Sequence, residues 1–159
     1  MNKEKVMIYC DGACTINRFG DHVGGWGCVI INGGIEEHSG GNSNTTNQQM
    51  ELFACIKSLE LISDKNCSIE VYSDSAYLVN CMNDKWYETW RANNWKTVQK
   101  KPVRNKDLWV RLLKLIKKRD IKFFKVDGHS GIEWNERADA LAKNAMYKLS
   151  GNDRITLYK

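Results

Sequence analysis

The chain has few of the sequence features that would divide it into several domains or anchor it in a membrane. It contains a single proline, Pro102, and no linker rich in glycine and serine. Its longest stretch without a charged side chain, residues 22–35, has 14 residues and five glycines, whereas a membrane-spanning helix needs about 20 apolar residues. The first apolar run, residues 6–10, is too short for the apolar centre of a secretion signal. We therefore expect a cytoplasmic protein.

The cysteines and histidines also lack the spacing of a metal or redox motif. The six cysteines lie at positions 10, 14, 28, 55, 67 and 81, and no two of them form a C-x-x-C pair. The three histidines are scattered along the chain, at positions 22, 38 and 129. We interpret the cysteines as reduced thiols that pack as small apolar side chains.

The composition that remains is typical of one globular domain. The 159 residues, 42% apolar and 27% charged, correspond to a single domain of about 150 residues. We predict one domain over residues 1–159, with a C-terminal tail from about residue 150. The net charge of +5 is concentrated in residues 84–104, which carry six basic and two acidic side chains. Local positive charge of this kind indicates binding to a phosphate backbone.

The hydrophobic pattern predicts an α/β protein. A capping-box pattern, Thr46-x-x-Gln49, opens the first predicted helix, and an Asn-Gly-Gly turn joins two predicted strands as a hairpin. Three strands in hairpins, followed by strands that alternate with helices, indicate a five-stranded mixed sheet with helices on both faces. The predicted strands cover residues 6–11, 24–31, 35–41, 67–73 and 121–126, and the predicted helices cover residues 46–62, 75–83, 105–118 and 133–149.

Two predicted strands each end in an aspartate, Asp11 and Asp74. In open α/β sheets, ligands bind beyond the carboxyl ends of the strands, so neighbouring parallel strands would bring these carboxylates together. Two carboxylates at close range repel each other unless a cation compensates them, and Mg²⁺ is the simplest such cation. The alternative is that each aspartate is an ordinary turn residue or helix cap.

Three further residues have both a functional and an ordinary interpretation. Glu51 lies in the first turn of a predicted helix, where an acidic side chain also stabilises the helix dipole. Asp139 lies on the last predicted helix, where it could simply pair with Lys143. His129 lies in a loop between two glycines, where it is either an ordinary loop residue or a proton shuttle.

Together these residues suit the metal-dependent hydrolysis of a phosphodiester. Two Mg²⁺ ions bring four positive charges, which four carboxylates neutralise. One ion can generate the nucleophile while the other stabilises the leaving oxygen.

Five segments, in order and near the expected spacing, resemble the type 1 ribonuclease H family over residues 5–148. One such motif would be weak evidence, but five in order are specific. The segments are Asp11-Gly12-Ala13-Cys14 with Asn17; residues 45–52; Ser73-Asp74-Ser75; the basic segment with Trp90, Trp95 and residues 100–109; and residues 128–139. We call residues 84–104 the basic protrusion, after the similar feature of the bacterial enzymes.

The resemblance implies a ribonuclease H-like fold and endonucleolytic hydrolysis of the RNA strand of RNA/DNA hybrids, leaving 5′-phosphate and 3′-hydroxyl ends. It implies that two Mg²⁺ ions, with Mn²⁺ as a substitute, are held by Asp11, Glu51, Asp74 and Asp139. His129 would assist proton transfer or product release, and Glu51 would also help to select the RNA strand.

The resemblance further implies how the hybrid duplex is bound. Three residues would face the minor groove: Asn17, Asn47 and Gln48. Two residues, Thr46 and Asn105, would grip a phosphate of the DNA strand. The DNA-side channel would be lined by Trp86 and the basic protrusion, with Trp90, Trp95, Lys96, Lys100 and Lys101.

The chain departs from the family pattern at several positions near these contacts. Gln48-Gln49 replaces the more usual Asn-Arg, Asn44 stands where an arginine often supports the phosphate pocket, Ala76 replaces a commoner polar residue and Asp127 replaces a lysine. The loop at residues 18–23 is longer than usual. These departures bear on affinity and cleavage preference more than on the reaction.

Two other functions are weighed against catalysis. The same fold serves integrases, transposases and resolvases, so the fold alone does not select the activity. A non-catalytic module that binds RNA/DNA hybrids is the alternative, and the loss of a carboxylate would favour it. All four are present. We expect a monomer without an obligate protein partner.

Overall fold

The computed structural model of the chain describes residues 3–128 and 131–150, which build a five-stranded sheet. The strands lie in the order β3-β2-β1-β4-β5. Strand β1 pairs antiparallel with β2, which pairs antiparallel with β3, whereas β1–β4 and β4–β5 are parallel. The predicted mixed sheet is therefore confirmed. The strands are β1 (Lys5–Ile16), β2 (His22–Ile31), β3 (Ile35–Ser43), β4 (Ser68–Ser73) and β5 (Asp120–Lys125).

Five helices accompany the sheet in the described part of the chain: α1 (Asn47–Glu60), α2 (Ala76–Asn83), α3 (Trp86–Ala92), α4 (Lys106–Ile116) and α5 (Glu133–Ser150). The predicted capping box is present, because Thr46 accepts from the Gln49 backbone and the Gln49 side chain accepts from the Thr46 backbone. Helix α3 has no counterpart among the predicted helices. Among the described helices, none has the length and apolar character to cross a membrane.

Helices cover both faces of the sheet, as predicted. The alternation of side chains along β1 sends Ile8 and Cys10 to one face and Tyr9 to the other. The first face packs against α1, α2 and α4 around the fully buried Trp109. The second face packs against α5, where Ala138 contacts the cluster that contains Tyr9.

Helix α5 lies close to the sheet because β2 has glycine residues where the helix packs on it. A Cβ atom added to Gly25 would lie 2.1 Å from the Ala142 carbonyl oxygen, and one added to Gly27 would lie 2.6 Å from that of Ala138. Backbone atoms cannot swing aside as a side chain can. The two glycines therefore set the distance between β2 and α5.

Strand β1 extends beyond its predicted end at Asp11. The strand continues to Ile16 as an antiparallel partner of β2, while its parallel pairing with β4 stops at Tyr9, opposite Tyr72. Asp11 therefore lies inside a strand instead of at its end. It still lies where β1 and β4 separate, which is the position that the prediction required.

The basic protrusion is built on α3 and a following turn. Trp90 lies between Trp95 and Trp109, with ring centroids 6.0 and 5.6 Å away. The Trp95 backbone N–H bonds to the Trp90 carbonyl at 2.7 Å, and the Val103 N–H bonds to the Trp95 carbonyl at 3.0 Å. Aromatic packing and these bonds hold the protrusion on the core.

Candidate active site

Three carboxylates from different elements meet at one edge of the sheet. Asp11 comes from β1, Glu51 from the second turn of α1, and Asp74 from the residue after β4. Each offers an oxygen atom, and the three oxygens lie within 4.8 Å of one another. These residues are three of the four predicted metal ligands.

The strand register explains why the two aspartates are neighbours. Tyr9 pairs with Tyr72 in the parallel ladder, and continuing that register by two residues aligns Asp11 with Asp74. Asp74 lies just after the end of β4, whereas Asp11, because side chains alternate along a strand, shares the sheet face of Tyr9. This is also the face on which α5 packs.

The fourth predicted ligand, Asp139, reaches the cluster from α5. Its carboxyl is close enough to Asp11 to raise the pKa of that residue, and it forms an ion pair with Lys143 at 3.1 Å. The ion pair that served as the ordinary interpretation of Asp139 thus exists together with the contact to Asp11. Asp139 lies outside the three-carboxylate group defined by the 4.8 Å separation.

Burial and mutual repulsion make the cluster hold protons. Asp11 is 4% exposed. Burial, the Asp74 charge and the nearby Asp139 carboxyl raise the pKa of Asp11 to about 8, although the Gly12 N–H lowers it. Burial raises the pKa of Glu51 to about 7, against a hydrogen bond with Ser75 that lowers it, and the Asp74 charge raises it further.

This donor set fits a hard divalent cation. The ligands are carboxylate oxygens, which Mg²⁺ and Mn²⁺ prefer, and their clustered charge requires compensation at neutral pH. Lys143 offsets part of the charge on Asp139. The three described oxygens therefore form a group that could bind metal.

His129 lies outside the described residues. The adjacent Gly128 is described, and a Cβ atom added to it would lie 3.0 Å from Asp74 Oδ2. The chain therefore passes directly beside the carboxylate cluster just before His129. The predicted role of His129 stays a prediction.

A second polar region begins at the N-terminus of α1. Asn47 and Gln48 are exposed in its first turn. A cleft of about 430 Å³ next to this turn is lined by Asn44, Gln49, Asn105, Lys106 and other residues of β3, α1 and α4. The exposed Thr46 is the N-cap of α1. The predicted phosphate-gripping residues, Thr46 and Asn105, thus lie at or beside one cleft.

Asn17 has a structural task in the turn between β1 and β2. Its side-chain oxygen accepts hydrogen bonds from the backbone N–H groups of Phe19 and Asp21, both at 2.9 Å. The Asn17 backbone N–H also bonds to the Asp21 carbonyl at 2.9 Å. Asn17 therefore organises the long loop at residues 18–23, whatever it contacts in a substrate.

The tryptophans of the basic protrusion differ in exposure. Trp86 is 40% exposed at the start of α3, whereas Trp90 and Trp95 are partly buried and pack against the core. Trp86 is therefore the ring best placed to meet a ligand. The structure gives Trp90 and Trp95 a role in packing that their prediction as nucleic-acid contacts did not include.

The three predicted lysines of the protrusion surround a short turn. The Thr97 N–H bonds to the Lys101 carbonyl at 2.7 Å, and Lys96 bridges to Pro102. Lys96, Lys100 and Lys101 are all exposed. The turn therefore presents positive charge to solvent.

One contact near the site was not predicted, namely that of Gln49 with Asn105. The Gln49 side-chain Nε2 donates to Asn105 Oδ1 at 3.1 Å, although the two residues are 56 positions apart. The only sequence signal was that Gln49 replaces the arginine usual in the family. The other departures are less informative: Asn44 adopts φ = 58° beside the cleft, and Asp127 lies 3.9 Å from Lys125.

Comparison with known proteins gives consistent matches over nearly the whole chain. The model of the RNase H family matches residues 3–147. The ribonuclease H of Clostridium botulinum (strain Hall) is 48% identical over 144 residues, which cover 90% of this chain and 96% of that protein. The ribonuclease H of Chlorobium chlorochromatii is 46% identical over 149 residues, which cover 93% and 99%.

Solved structures agree with this result. The crystal structure of LC9-RNase H1, a type 1 RNase H with the type 2 active-site motif, matches with a TM-score of 0.79 and 26% identity, covering 93% of this chain and 74% of that one. The structure of LC11-RNase H1 in complex with an RNA/DNA hybrid matches with a TM-score of 0.68 and 26% identity, covering 91% and 98%.

Proposed function

Because this chain belongs to the ribonuclease H family, we propose that it cleaves the RNA strand of RNA/DNA hybrids by two-metal-ion catalysis. It is an endoribonuclease of a metal-dependent family. The products are 5′-phosphate and 3′-hydroxyl ends. The observation that carries the metal mechanism is the group of three carboxylate oxygens within 4.8 Å.

The four carboxylates form the metal site of this proposal. Asp11, Glu51 and Asp74 hold the ions, and Asp139 joins them through its contact with Asp11. Bound Mg²⁺ supplies a nucleophile at neutral pH and stabilises the charge that develops on the leaving oxygen. Mn²⁺ can replace it, since the ligands are the same oxygens. His129 assists proton transfer or product release.

The site selects the RNA strand through the hydroxyl groups that only RNA carries. The 2′-hydroxyls and base edges are displayed in the wide minor groove of an A-like duplex. Glu51, Asn17, Asn47 and Gln48 lie along this groove in the proposed complex. The DNA strand is held by Thr46 and Asn105, and by the channel at Trp86 and the basic protrusion.

The exposed end of the Thr46 side chain supports this assignment. Its Oγ1 accepts from the Gln49 backbone N–H at 3.1 Å, which leaves the hydroxyl hydrogen to donate to another oxygen. Lys106 contributes positive charge to the same cleft. A phosphate oxygen is the acceptor that this combination suits.

Four duplexes of one sequence test the proposal: RNA/DNA, DNA/DNA, RNA/RNA, and DNA that carries one ribonucleotide. With Mg²⁺ present, we expect cleavage of the hybrid in its RNA strand only. Duplex DNA should stay intact, and duplex RNA should be cut slowly or not at all. Excess chelator should stop the reaction.

Three outcomes would overturn the proposal in different ways. Efficient cutting of DNA/DNA would indicate a resolvase or transposase activity. Efficient cutting at a lone ribonucleotide would indicate the preference of type 2 enzymes. Tight binding to the hybrid without any cleavage would support the alternative of a non-catalytic binding module.

We further propose that residues 1–159 act as a single domain and as a cytoplasmic monomer. The described strands form one sheet, and the described helices pack on its two faces, which supports the single domain. Size-exclusion chromatography with light scattering tests the monomer, since a dimer would double the mass.

A further inference from the structure

Gln49 connects the two residues proposed to grip the DNA phosphate. Its side-chain Oε1 accepts from the Thr46 backbone N–H at 3.2 Å and from the Thr45 hydroxyl at 3.1 Å. Its Nε2 donates to Asn105 Oδ1 at 3.1 Å. The Gln49 carboxamide therefore links Thr46 to Asn105 through hydrogen bonds.

The donor and the acceptor in each of these hydrogen bonds can be assigned by starting from Thr46. A backbone N–H can only donate, so the Gln49 atom that faces Thr46 must be the oxygen. The Gln49 nitrogen therefore faces Asn105. Because this nitrogen can only donate, the Asn105 atom that faces it must be the carboxamide oxygen.

The hydrogen bonds at the other end of this series, at Tyr77, can be assigned in the same way. The indole N–H of Trp109 can only donate, and it bonds to the Tyr77 hydroxyl oxygen at 2.9 Å. Asn105 Nδ2 donates to the same oxygen at 3.3 Å. Trp109 is fully buried and packs edge-on against Tyr77, with ring centroids 5.3 Å apart. Tyr77 is therefore a rigid acceptor.

We propose that Gln49 is a positioning residue that holds the Asn105 carboxamide with its nitrogen available to a DNA phosphate. A primary amide has two N–H donors. One of them is used on Tyr77, and the second is what Asn105 offers to a phosphate oxygen. If the carboxamide turned over, its oxygen would face the phosphate and repel it. This inference rests on the proposed function of Thr46 and Asn105.

The residue type matters at this position. The arginine usual in the family has only donors, so it could not accept from the Thr46 N–H. Glutamine has both a donor and an acceptor, which the observed arrangement requires. In place of a positive charge near the cleft, the chain thus has a side chain that contacts both Thr46 and Asn105.

The test separates this role from simple capping of α1. Gln49→Glu keeps an acceptor for the Thr46 N–H, and glutamate suits the third position of a capping box, so the melting temperature should stay unchanged. The variant however presents an oxygen to Asn105 Oδ1, which turns the carboxamide. We expect KM for an RNA/DNA hybrid to rise at least tenfold, with kcat within twofold of the parent.

Gln49→Met and Asn105→Ala supply the neutral comparison. Gln49→Met removes the donor without adding charge, so KM should rise about fivefold, the size of one ordinary hydrogen bond. In an Asn105→Ala background the same change should have no further effect on KM, because its target is gone. An additive increase would overturn the inference, since it would mean that Gln49 acts independently of Asn105.

A matched control removes a hydrogen bond from the same helix away from the cleft. Ser58 is buried in α1 and donates to the Ala54 carbonyl at 2.6 Å. Ser58→Gly should lower the melting temperature, because glycine is the poorer helix former and the hydrogen bond is lost, and it should leave KM unchanged. An equal rise of KM in Ser58→Gly would show that KM responds only to helix stability. If the parent protein itself did not cleave the hybrid, the proposed function would be contradicted instead.

Discussion

Asp11 shows at the scale of one residue how a site built for metal opposes folding. Its carboxylate is 4% exposed and has two acidic neighbours, Asp74 and Asp139. Ionising it in the absence of a cation costs free energy, because neither water nor a basic side chain compensates the charge sufficiently. Catalytic capacity and stability therefore make opposite demands on this residue.

The sign of the pH dependence follows from the pKa of Asp11. In the unfolded chain the carboxyl titrates near its ordinary 3.8, whereas the folded protein raises the pKa to about 8. Proton binding thus favours the folded state below about pH 4, and this contribution disappears as the pH rises to about 8. Asp11→Asn should abolish cleavage yet melt a few °C above the parent protein at pH 8 in chelator.

Thermal melts in chelator from pH 4 to pH 8 check this prediction. The difference between Asp11→Asn and the parent should shrink as the pH falls, because the parent regains its proton. Added Mg²⁺ should raise the melting temperature of the parent more than that of the variant. A lower melting temperature of the variant at pH 8 would show that the carboxylate supports the fold.

His129 is expected to matter less than the carboxylates. General acid–base assistance is worth about 10²–10⁴-fold in rate. In the proposed mechanism bound metal would supply the nucleophile, so we expect His129→Ala to lower kcat by about 10²-fold or less. Single-turnover cleavage measures this loss, and a loss as complete as that of Asp11→Asn would give His129 a different role.

At the scale of the secondary-structure elements, the distance between β2 and α5 positions the fourth carboxylate. Asp139 directly follows Ala138, whose carbonyl lies over Gly27. Any side chain at Gly27 must therefore push α5 outward and move Asp139 with it. Gly27 therefore helps to set the position of the Asp139 carboxylate.

Gly27→Ala should impair both folding and cleavage. Overpacking costs about 1–3 kcal/mol, or a few °C in a domain of this size, and kcat should fall because Asp139 is displaced. Gly34→Ala is the control, since a Cβ atom at Gly34 has no atom within 4 Å. Melting curves and Mg²⁺ titrations of kcat measure both effects. Normal Mg²⁺ dependence in Gly27→Ala would separate Asp139 from the metal site.

The elements that the sequence predicted correctly are those with a local pattern. Thr46-x-x-Gln49 defined the start of α1, and both residues form the expected capping box. Helix α3 escaped prediction because it has only 7 residues and none of them is fully buried, so its aromatic side chains do not form the repeated apolar stripe of a longer helix. The extension of β1 to Ile16 escaped because Asp11 and Gly12 interrupt the apolar pattern that marks a strand.

The parts of the site that could not be predicted depend on distant partners. Asp11 and Asp74 were paired from their positions near the ends of similar predicted strands, and their oxygens, which lie within 4.8 Å of each other, confirm that they are adjacent. The bond between Gln49 and Asn105 joins residues 56 positions apart. No spacing in the sequence records such a bond, because it exists only after α1 and α4 have packed together.

Across the whole molecule, charge is divided between two surfaces. Residues 84–104 hold six basic and two acidic side chains, whereas the catalytic edge holds the carboxylates of Asp11, Glu51 and Asp74. We therefore expect a nucleic acid to be attracted by the first surface and cut at the second. Affinity and reaction rate should respond separately to mutation.

Changing Lys96, Lys100 and Lys101 to alanine should raise KM steeply and spare kcat. Each lost phosphate contact should also reduce the salt dependence of binding, by about 0.9 in the slope of log K against log salt concentration. Cleavage assays over a range of KCl concentrations measure both quantities. If kcat collapsed while KM held, the lysines would belong to the catalytic site.

A variant with the same loss of charge elsewhere controls for net charge. Lys3, Lys65 and Lys122 are exposed, and none of them belongs to the basic protrusion. Changing these three to alanine should leave KM and the salt slope close to the parent values. A similar rise of KM would mean that total charge, and not its position, determines binding.

Because the four carboxylates come from distant parts of the sequence, they come together in a defined order as the chain is synthesised. Strands β1, β2 and β3 can pair through hairpins as soon as they are synthesised, but β4 must be made before Asp74 meets Asp11. Asp139 arrives only when α5 has been made and has packed over the glycines of β2. On the proposed mechanism, a nascent chain therefore cannot cut an RNA/DNA hybrid near it until α5 is in place.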